Sequence, residues 1–230
     1  KINMAEVKVP RFMISAPGSG SGKTTIVCGL LKALMEKGLS VAAFKSGPDY
    51  IDPMFHSRVI GAKSRNLDLF MLGQATSRYL VAKNARHADV AVFEGAMGFY
   101  DGMGKTTEAS AYELACTCDV PVVLVVNGKG AALSIAATIK GFKEFRSDSH
   151  IVGAILNNVN PMSYLFYKDV IERETGVKLL GYFPVMQDCN FESRHLGLVT
   201  AEEIGDLQQI VAKLAAQAAK SVDLDGLLQV

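Results

Sequence analysis

This sequence of 230 residues has no marked excess of positive or negative charge, no long hydrophobic run and no C-x-x-C pair of cysteines. The 24 Lys and Arg nearly balance the 23 Asp and Glu, so the net charge of +1 gives no reason to expect nucleic acid or a membrane surface as a partner. No apolar run approaches the roughly 20 residues that a transmembrane helix needs. The N-terminal stretch KINMAEVKVP contains no signal-peptide core, so we expect a cytoplasmic protein.

The cysteines also lack the spacing of a redox or metal motif. They form no C-x-x-C pair and have no histidine at ligand spacing, so we expect reduced, buried thiols at Cys28, Cys116, Cys118 and Cys189. Apolar residues make up 49% and charged residues 20%, which allows a large core and excludes a disordered chain. No repeat or low-complexity tract divides the chain, so we expect one domain over residues 1–230.

The most informative stretch is 16–25, with the sequence APGSGSGKTT. It follows a short apolar run and precedes a helical pattern closed by Gly38, which is the strand, glycine-rich loop and helix order of a phosphate-binding loop. The glycines let backbone N–H groups turn inward around phosphate oxygens, Lys23 adds a positive charge, and Thr24 offers a hydroxyl to magnesium. Pro17 stands where the general pattern has glycine. The alternative, a Gly/Ser loop that enters a helix without binding phosphate, is weaker because Gly-Lys-Thr-Thr stands where phosphate binding needs it. We predict a nucleotide-binding loop made of Gly18, Ser19, Gly20, Ser21, Gly22, Lys23, Thr24 and Thr25.

Strand-like apolar runs alternate with helical patterns along the chain. We predict strands at 11–15, 40–45, 89–93, 121–126, 151–156 and 178–183. We predict helices at 26–35, 75–86, 108–118, 131–145, 163–175 and about 200–220, and a turn-rich loop at 47–53. This alternation predicts an α/β fold of the P-loop NTPase type, a three-layer sandwich whose mostly parallel central sheet has helices on both faces.

Polar residues stand where the predicted strands end, and in a parallel sheet those ends share one edge. Glu94 is either a solvated strand end or the acidic partner of Thr24 at a magnesium ion, and the phosphate loop favours the metal. Asp49 and Asp52 lie between two prolines, where turn chemistry and a role in a site are equally good explanations. Asn157 either contacts an adenine edge through its amide or forms a turn.

A second Gly-Lys-Thr-Thr occurs at 104–107. No strand directly precedes it and Phe99 occupies the first-glycine position, so we interpret it as a mobile loop over the active site and not as a second nucleotide site. Arg194 and His195 lie in a polar stretch and are unremarkable by themselves.

Five motifs together resemble the synthetase half of cobyrinic acid a,c-diamide synthase: APGSGSGKTT, FKSGPDYIDP (44–53), SRNLD (64–68), FEGAMGFYDG (93–102) and SRHLGLV (193–199). The resemblance spans residues from about 10 to 228, and this family has proline where the chain has Pro17. It implies an ATP-dependent amidation of the a and c acetate carboxylates of cobyrinic acid through acyl phosphates. ATP and Mg²⁺ are the implied cofactors, and a corrinoid polycarboxylate is the implied substrate.

In this family ammonia normally comes from glutamine, released by a glutaminase domain with a cysteine nucleophile. The chain stops at Val230 and none of its cysteines stands in a Gly-x-Cys-x-Gly turn, so we expect that domain to be absent. We expect the chain alone to use free ammonia and not glutamine. A homodimer is compatible with the resemblance.

The resemblance also implies roles for individual residues. The implied magnesium ligands are Thr24, Asp49 and Glu94. The implied nucleotide contacts beyond the loop are Lys45 at the γ-phosphate and Asn157 at the adenine. The implied residues of catalysis and turnover are Lys23, Lys45, Tyr50, Asp52 and Asp101. For the polycarboxylate we hypothesise contacts from Arg65, Arg194 and His195.

Other interpretations stay open at this point. A synthase for hydrogenobyrinate or Ni-sirohydrochlorin is the nearest, because pocket shape decides which ring fits. Dethiobiotin synthetase is a second alternative, but its family lacks the PDYIDP and FYDG loops that this chain contains. A regulatory ATPase of the ParA/MinD kind has an additional lysine early in the loop, and residues 15–18 of this chain contain none.

Overall fold

The computed structural model describes residues 8–48, 51–189, 191 and 201–230, with the backbone alone at 51, 52, 201 and 202. The strands are β1 (Arg11–Ser15), β2 (Val41–Ser46), β3 (Lys63–Leu67), β4 (Val90–Glu94), β5 (Val122–Asn127), β6 (Ile151–Asn157) and β7 (Lys178–Phe183). They form one sheet in the order β3-β2-β4-β1-β5-β6-β7, and each pair of neighbours is parallel. The predicted α/β class is confirmed, with a sheet that is parallel throughout.

The α-helices are α1 (Lys23–Glu36), α2 (Ile51–Phe55), α3 (Leu69–Ala85), α4 (Ala111–Cys118), α5 (Ser134–Phe145), α6 (Pro161–Thr175), α7 (Ala201–Ser221) and α8 (Leu224–Gln229). A π-helical segment, His56–Ile60, follows α2 directly. Helices α4 and α5 begin three residues later than the sequence predicts. For α4 the reason is Ser110, whose side chain caps the helix by accepting the Glu113 N–H.

Two apolar cores lie on opposite faces of the sheet and give the predicted three layers. The first is built around α1 and α7, and the second lies under the helices from α3 to α6. Neighbouring residues of β1 point into different cores: Phe12 belongs to the first, Met13 to the second, and both are fully buried. Strands buried on both faces have nearly continuous apolar sequences, which is why the central strands are predicted well.

Several elements differ from the sequence prediction. Residues 51–53, expected in a turn-rich loop, begin α2, where Pro53 is tolerated because it lies in the first turn. Strand β3 and helix α8 are not predicted at all. Helix α3 begins earlier than predicted because Gly73, with φ 70 and ψ 170, separates a first turn from the rest of the helix.

Cys28, Cys118 and Cys189 are buried as predicted, whereas Cys116 is half-buried. Within the described residues no helix is both long and apolar enough to cross a bilayer. The start of the last predicted helix, at Thr200, lies outside the described residues, and α7 ends at Ser221, one residue beyond the prediction.

Candidate nucleotide and metal site

The phosphate loop joins β1 to α1 and contains two glycines with a left-handed backbone. Gly20 has φ +79, and Gly22, the N-cap of α1, has φ +88. A Cβ on Gly22 would also lie 2.1 Å from Asn157 Nδ2, which is closer than non-bonded atoms approach. The backbone angle therefore favours glycine at position 22, and a Cβ there would displace the Asn157 amide from the loop.

Asn157, the last residue of β6, contacts the loop directly. Its Nδ2 donates to the Ser21 carbonyl at 3.0 Å, and the Ser21 hydroxyl donates to the Gly18 carbonyl at 2.9 Å. Of the two explanations that the sequence offers for Asn157, neither includes this contact. The adenine contact stays a prediction.

The segment that follows β4 packs on the other side of the loop. The Phe99 N–H donates to the Ala16 carbonyl at 2.9 Å, and Lys23 Nζ donates to the Met97 carbonyl at 3.1 Å. Lys23 is only 8% exposed, so its ammonium group is held at the loop and does not extend into solvent.

Asp101 shapes this same segment. Its Oδ2 accepts the Gly98 N–H at 2.9 Å, and a Cβ on Gly98 would lie 2.6 Å from the Pro17 carbonyl oxygen. Glycine at 98 thus permits the close approach of the two loops. The predicted part of Asp101 in turnover stays a prediction.

Glu94, the last residue of β4, lies in a buried cluster of polar side chains beside the start of α1. Its Oε1 accepts the Thr24 hydroxyl at 2.8 Å and lies 3.0 Å from Lys45 Nζ. Its Oε2 lies 3.5 Å from His56 Nε2. Glu94 and His56 are each 1% exposed and Lys45 is 4% exposed. The structure thus brings together Thr24, Lys45 and Glu94, which the sequence places in one site, and adds His56.

The cluster keeps Glu94 ionised. Burial alone would raise the pKa of this carboxyl, but the positive charge of Lys45 and the contacts with His56 and Thr24 outweigh burial and lower the pKa from 4.5 to about 2. At neutral pH the group is therefore a carboxylate, which is the form that binds a cation.

Register places further polar side chains beside this cluster. Glu94, Lys45 and Asn66 are neighbours across β4, β2 and β3. Ser64 points to the same face two residues earlier in β3, and its Oγ lies 3.2 Å from His56 Nδ1. Both amide atoms of Asn66 are buried without a hydrogen-bond partner among the described residues. Sequence reasoning gives no role to His56, Ser64 or Asn66. For Ser64 and Asn66 there is one sequence signal: they are polar residues at alternate positions, which in a strand point to the same face.

The residues present fit a magnesium ion. Glu94 Oε2 is buried without a hydrogen-bond partner among the described residues, and the Thr24 hydroxyl lies next to Oε1. Magnesium prefers oxygen ligands and typically takes only one or two carboxylates from the protein, the rest being phosphate oxygens and water. The described residues contain no group of three His, Cys, Asp or Glu that could hold a metal, and the predicted ligand Asp49 lies outside them.

The other predicted site residues are placed less directly. Arg65 is exposed on β3, pairs in register with Phe44, and so points to the face opposite Glu94, where its Nη1 donates to the Ser64 carbonyl at 2.9 Å. Ser19 and Gly20 are exposed and Thr25 is half-buried. Four predicted site residues lie outside the described residues: Asp49, Tyr50, Arg194 and His195. The side chain of Asp52 is not described either.

The second Gly-Lys-Thr-Thr forms an exposed turn and no phosphate cradle. The Met103 N–H donates to the Glu108 carbonyl at 2.9 Å, and the Thr106 hydroxyl donates to the Met103 carbonyl at 2.8 Å. Helix α4 starts only at Ala111, so the turn lacks the helix N-terminus that a phosphate loop needs.

The chain is similar to curated relatives named cobyrinate a,c-diamide synthase. The one from Thermoplasma volcanium is 40% identical over 97% of this chain and 49% of the relative. The one from Streptococcus sanguinis is 42% identical over 95% of this chain and 49% of the relative. The chain therefore spans about half the length of the curated relatives that it matches. The solved structure of chloroplast FtsY from Physcomitrella patens shares the fold alone, with a TM-score of 0.57 and 12% identity over 92% of this chain and 68% of that chain.

A family model described as the CobQ/CobB/MinD/ParA nucleotide binding domain matches residues 12–198. That range contains the phosphate loop, the buried cluster around Glu94, and Asn157. The match covers most of the chain and agrees with the parallel sheet and the glycine-rich loop. The chain belongs to the CobQ/CobB/MinD/ParA nucleotide binding domain family.

Proposed function

We propose that this chain is the ATP-binding amide-ligase domain of a cobyrinic acid a,c-diamide synthase. The reaction converts the a and c acetate carboxylates of the corrinoid into amides. One observation carries the nucleotide half of the proposal: a buried carboxylate, Glu94, accepts the Thr24 hydroxyl at 2.8 Å beside the phosphate loop. The substrate is inferred from relatives of that name, which are 40% and 42% identical over nearly the whole chain.

The loop and its neighbours would bind MgATP. Backbone N–H groups of 18–24 and the ammonium of Lys23 neutralise phosphate oxygens, and Asn157 contacts the adenine. Thr24 and Glu94, together with Asp49, would hold Mg²⁺, which when bound neutralises charge on the phosphates. Lys45, buried against Glu94, would contact the γ-phosphate.

The substrate carboxylate is itself the anionic nucleophile, so the protein supplies none. Its oxygen attacks the γ-phosphorus, the bond to the bridging oxygen breaks, and ADP leaves. The lone pair of ammonia then attacks the acyl carbon, nitrogen loses a proton, and phosphate leaves with the electrons of the C–O bond. Catalysis is therefore positioning and charge neutralisation, the tasks of Lys23 and Lys45.

The remaining roles concern the substrate and the nitrogen source. Tyr50, Asp52 and Asp101 would take part in substrate handling and turnover. Arg65, Arg194 and His195 would contact the ring carboxylates. The half of the relatives that this chain does not span would release ammonia from glutamine.

The test is ATP turnover with three tetrapyrroles side by side: cobyrinic acid, hydrogenobyrinic acid and Ni-sirohydrochlorin. Each is incubated with the protein, MgATP and ammonium chloride, with ADP measured by a coupled assay and amides by mass spectrometry. We expect ADP and amide in equal amounts, and the fastest turnover with cobyrinic acid. ADP formation that ignores all three rings would overturn the proposal and favour a regulatory ATPase.

The nitrogen source is tested in the same assay. Glutamine replaces ammonium chloride at equal nitrogen concentration, and we expect amide formation to stop while ATP binding is unchanged. Glutamine-dependent amide formation by this chain alone would contradict the assignment of the glutaminase to the other half of the relatives.

A further inference from the structure

A histidine that the proposed reaction does not use lies in the same buried cluster. His56 is 1% exposed, and its Nε2 lies 3.5 Å from Glu94 Oε2. Both atoms are buried, and neither has a hydrogen-bond partner among the described residues. The separation is longer than the roughly 2.9 Å of a good N–H···O bond, so two polar atoms of complementary type face each other just beyond bonding distance.

The local backbone turns this ring inward. His56 is the first residue of the π-helical segment, while Ser57 and Arg58 are exposed. The Ala62 N–H donates to the His56 carbonyl at 3.0 Å, and the segment ends at Gly61, whose φ of 85 favours glycine. Single π-helical turns are rare overall, and those that occur are frequently at functional sites.

Ser64 fixes the orientation of the ring from the opposite side. It is 5% exposed on β3, and its Oγ lies 3.2 Å from His56 Nδ1. If the Ser64 hydroxyl donates to Nδ1, the ring proton of the neutral imidazole is on Nε2, the nitrogen that faces Glu94 Oε2. Outer partners of this kind orient metal ligands and are worth about 10- to 100-fold in metal affinity.

We propose that His56, oriented by Ser64, is a positioning residue that holds the Glu94 carboxylate in its magnesium-binding orientation. The inference rests on the metal part of the proposed function. Thr24 and Lys45 both contact Oε1, whereas His56 is the partner that faces Oε2 among the described residues. Without the imidazole the carboxylate is free to turn both oxygens toward Thr24 and Lys45, and its orientation toward a metal is lost.

The test separates positioning from core packing with two amides of different reach. Glutamine places its N–H₂ near the position of Nε2, and asparagine places it near Nδ1. We expect His56→Asn and His56→Leu to raise the Mg²⁺ concentration for half-maximal binding of a fluorescent ATP analogue by at least ~10-fold. We expect His56→Gln to stay within ~3-fold of the wild type and Ser64→Ala to lie between. Binding of the analogue in EDTA, and the thermal midpoint of each variant, are measured beside it.

His150→Asn is the matched control, since it removes another histidine that contacts a carboxylate, at 3.4 Å from Asp119. It should leave the Mg²⁺ dependence unchanged. Equal shifts for the Gln and Asn variants, or lower thermal midpoints with no shift for any of the four, would overturn the positioning role and leave the proposed function intact. Wild-type nucleotide binding that ignores Mg²⁺ would overturn the metal part of that function and this inference with it. If His56→Leu does not fold, the Gln and Asn pair and Ser64→Ala decide.

Discussion

The two edges of the sheet hold similar side chains and differ in burial. At the carboxyl edge, where the parallel strands end, His56 Nε2 lies 3.5 Å from Glu94. At the amino edge, where the strands begin, His150 Nε2 lies 3.4 Å from Asp119. The side chains of the first pair are each 1% exposed, whereas those of the second are 27% and 84% exposed. Distance therefore does not distinguish a site from a surface contact. Burial does, because a charge removed from water must be compensated by its neighbours.

Two ion pairs repeat the contrast at equal length. Lys45 Nζ lies 3.0 Å from Glu94 Oε1 with side chains 5% and 1% exposed. Lys37, just after the end of α1, also lies 3.0 Å from Asp225, with side chains 41% and 73% exposed. The first pair is buried in the polar cluster around Glu94, and the second is a solvated contact.

The amino edge has two features that could suggest an active site there. A cavity of about 860 Å³ opens there, lined in part by Arg11, Arg78 and His150. Beside it, Cys116 Sγ lies 3.8 Å from His150 Nδ1, as a nucleophile lies near a base. Yet that Nδ1 lies 2.6 Å from the Asp148 carbonyl, to which it donates, and burial together with the Asp148 carboxylate raises the pKa of Cys116 to about 11. The thiol stays protonated, so we place the chemistry at the carboxyl edge.

The largest expected effect compares the two Gly-Lys-Thr-Thr sequences. Lys23→Ala removes a cation held at the phosphate loop, and we expect turnover to fall by about 100- to 1,000-fold. Lys105→Ala changes the same tetrapeptide in an exposed turn, and we expect unchanged affinity for ATP. Both are measured by ADP release and by titration with a fluorescent ATP analogue. Loss of ATP affinity in the Lys105 variant would make the second sequence part of the nucleotide site.

The next effect compares the two ion pairs by urea denaturation. Glu94→Gln removes the carboxylate charge that lies 3.0 Å from the buried ammonium of Lys45, and we expect a loss of about 3–5 kcal/mol in the free energy of unfolding. Asp225→Asn breaks the exposed pair of equal length, and we expect less than about 1 kcal/mol. The double variant with Lys45→Met should recover part of the first loss. Equal losses for Glu94→Gln and Asp225→Asn would show that burial does not separate the pairs.

A smaller effect is expected in acid. The folded-state pKa of Glu94, about 2, lies below its ordinary value of 4.5. Ionised Glu94 therefore stabilises the fold fully above about pH 5, and this contribution, on the order of 3 kcal/mol, is lost as the pH falls toward 2. Denaturation of metal-free protein between pH 7 and pH 3 should thus show a steeper loss for the wild type than for Glu94→Gln. Parallel curves would contradict the lowered pKa.

The sequence predicts well those elements whose pattern is strong. Predicted strands at 89–93, 121–126 and 178–183 differ from β4, β5 and β7 by at most one residue at either end. Strand β3 is missed because its first four residues, KSRN, are all polar, and an edge strand next to a buried polar cluster has little apolar signal.

The site is predictable where spacing itself defines the chemistry. The phosphate loop and the strand-end carboxylate of Glu94 follow from motif and position. The place of Lys45 follows from the resemblance, since a lysine in an apolar run carries no signal of its own. His56 comes from a π-helical segment and meets Ser64 of β3 only through packing, which no local pattern encodes. The roles of all the predicted site residues stay predictions, and the side chains of Asp49, Tyr50, Asp52, Arg194 and His195 are not described.

The smallest effect is expected from Cys116→Ser at the amino edge. Because its raised pKa makes this thiol a weak nucleophile at neutral pH, we expect turnover within about two-fold of the wild type. The raised pKa, about 11 against an ordinary 9.0, lowers the thiolate fraction at pH 8. Iodoacetamide should therefore modify Cys116 about 100-fold more slowly than a free thiol, as measured by mass spectrometry. A thiol alkylated at the free rate would contradict the raised pKa. A serine variant without activity would mean that the exposed edge carries chemistry and that burial is the wrong criterion for locating the site.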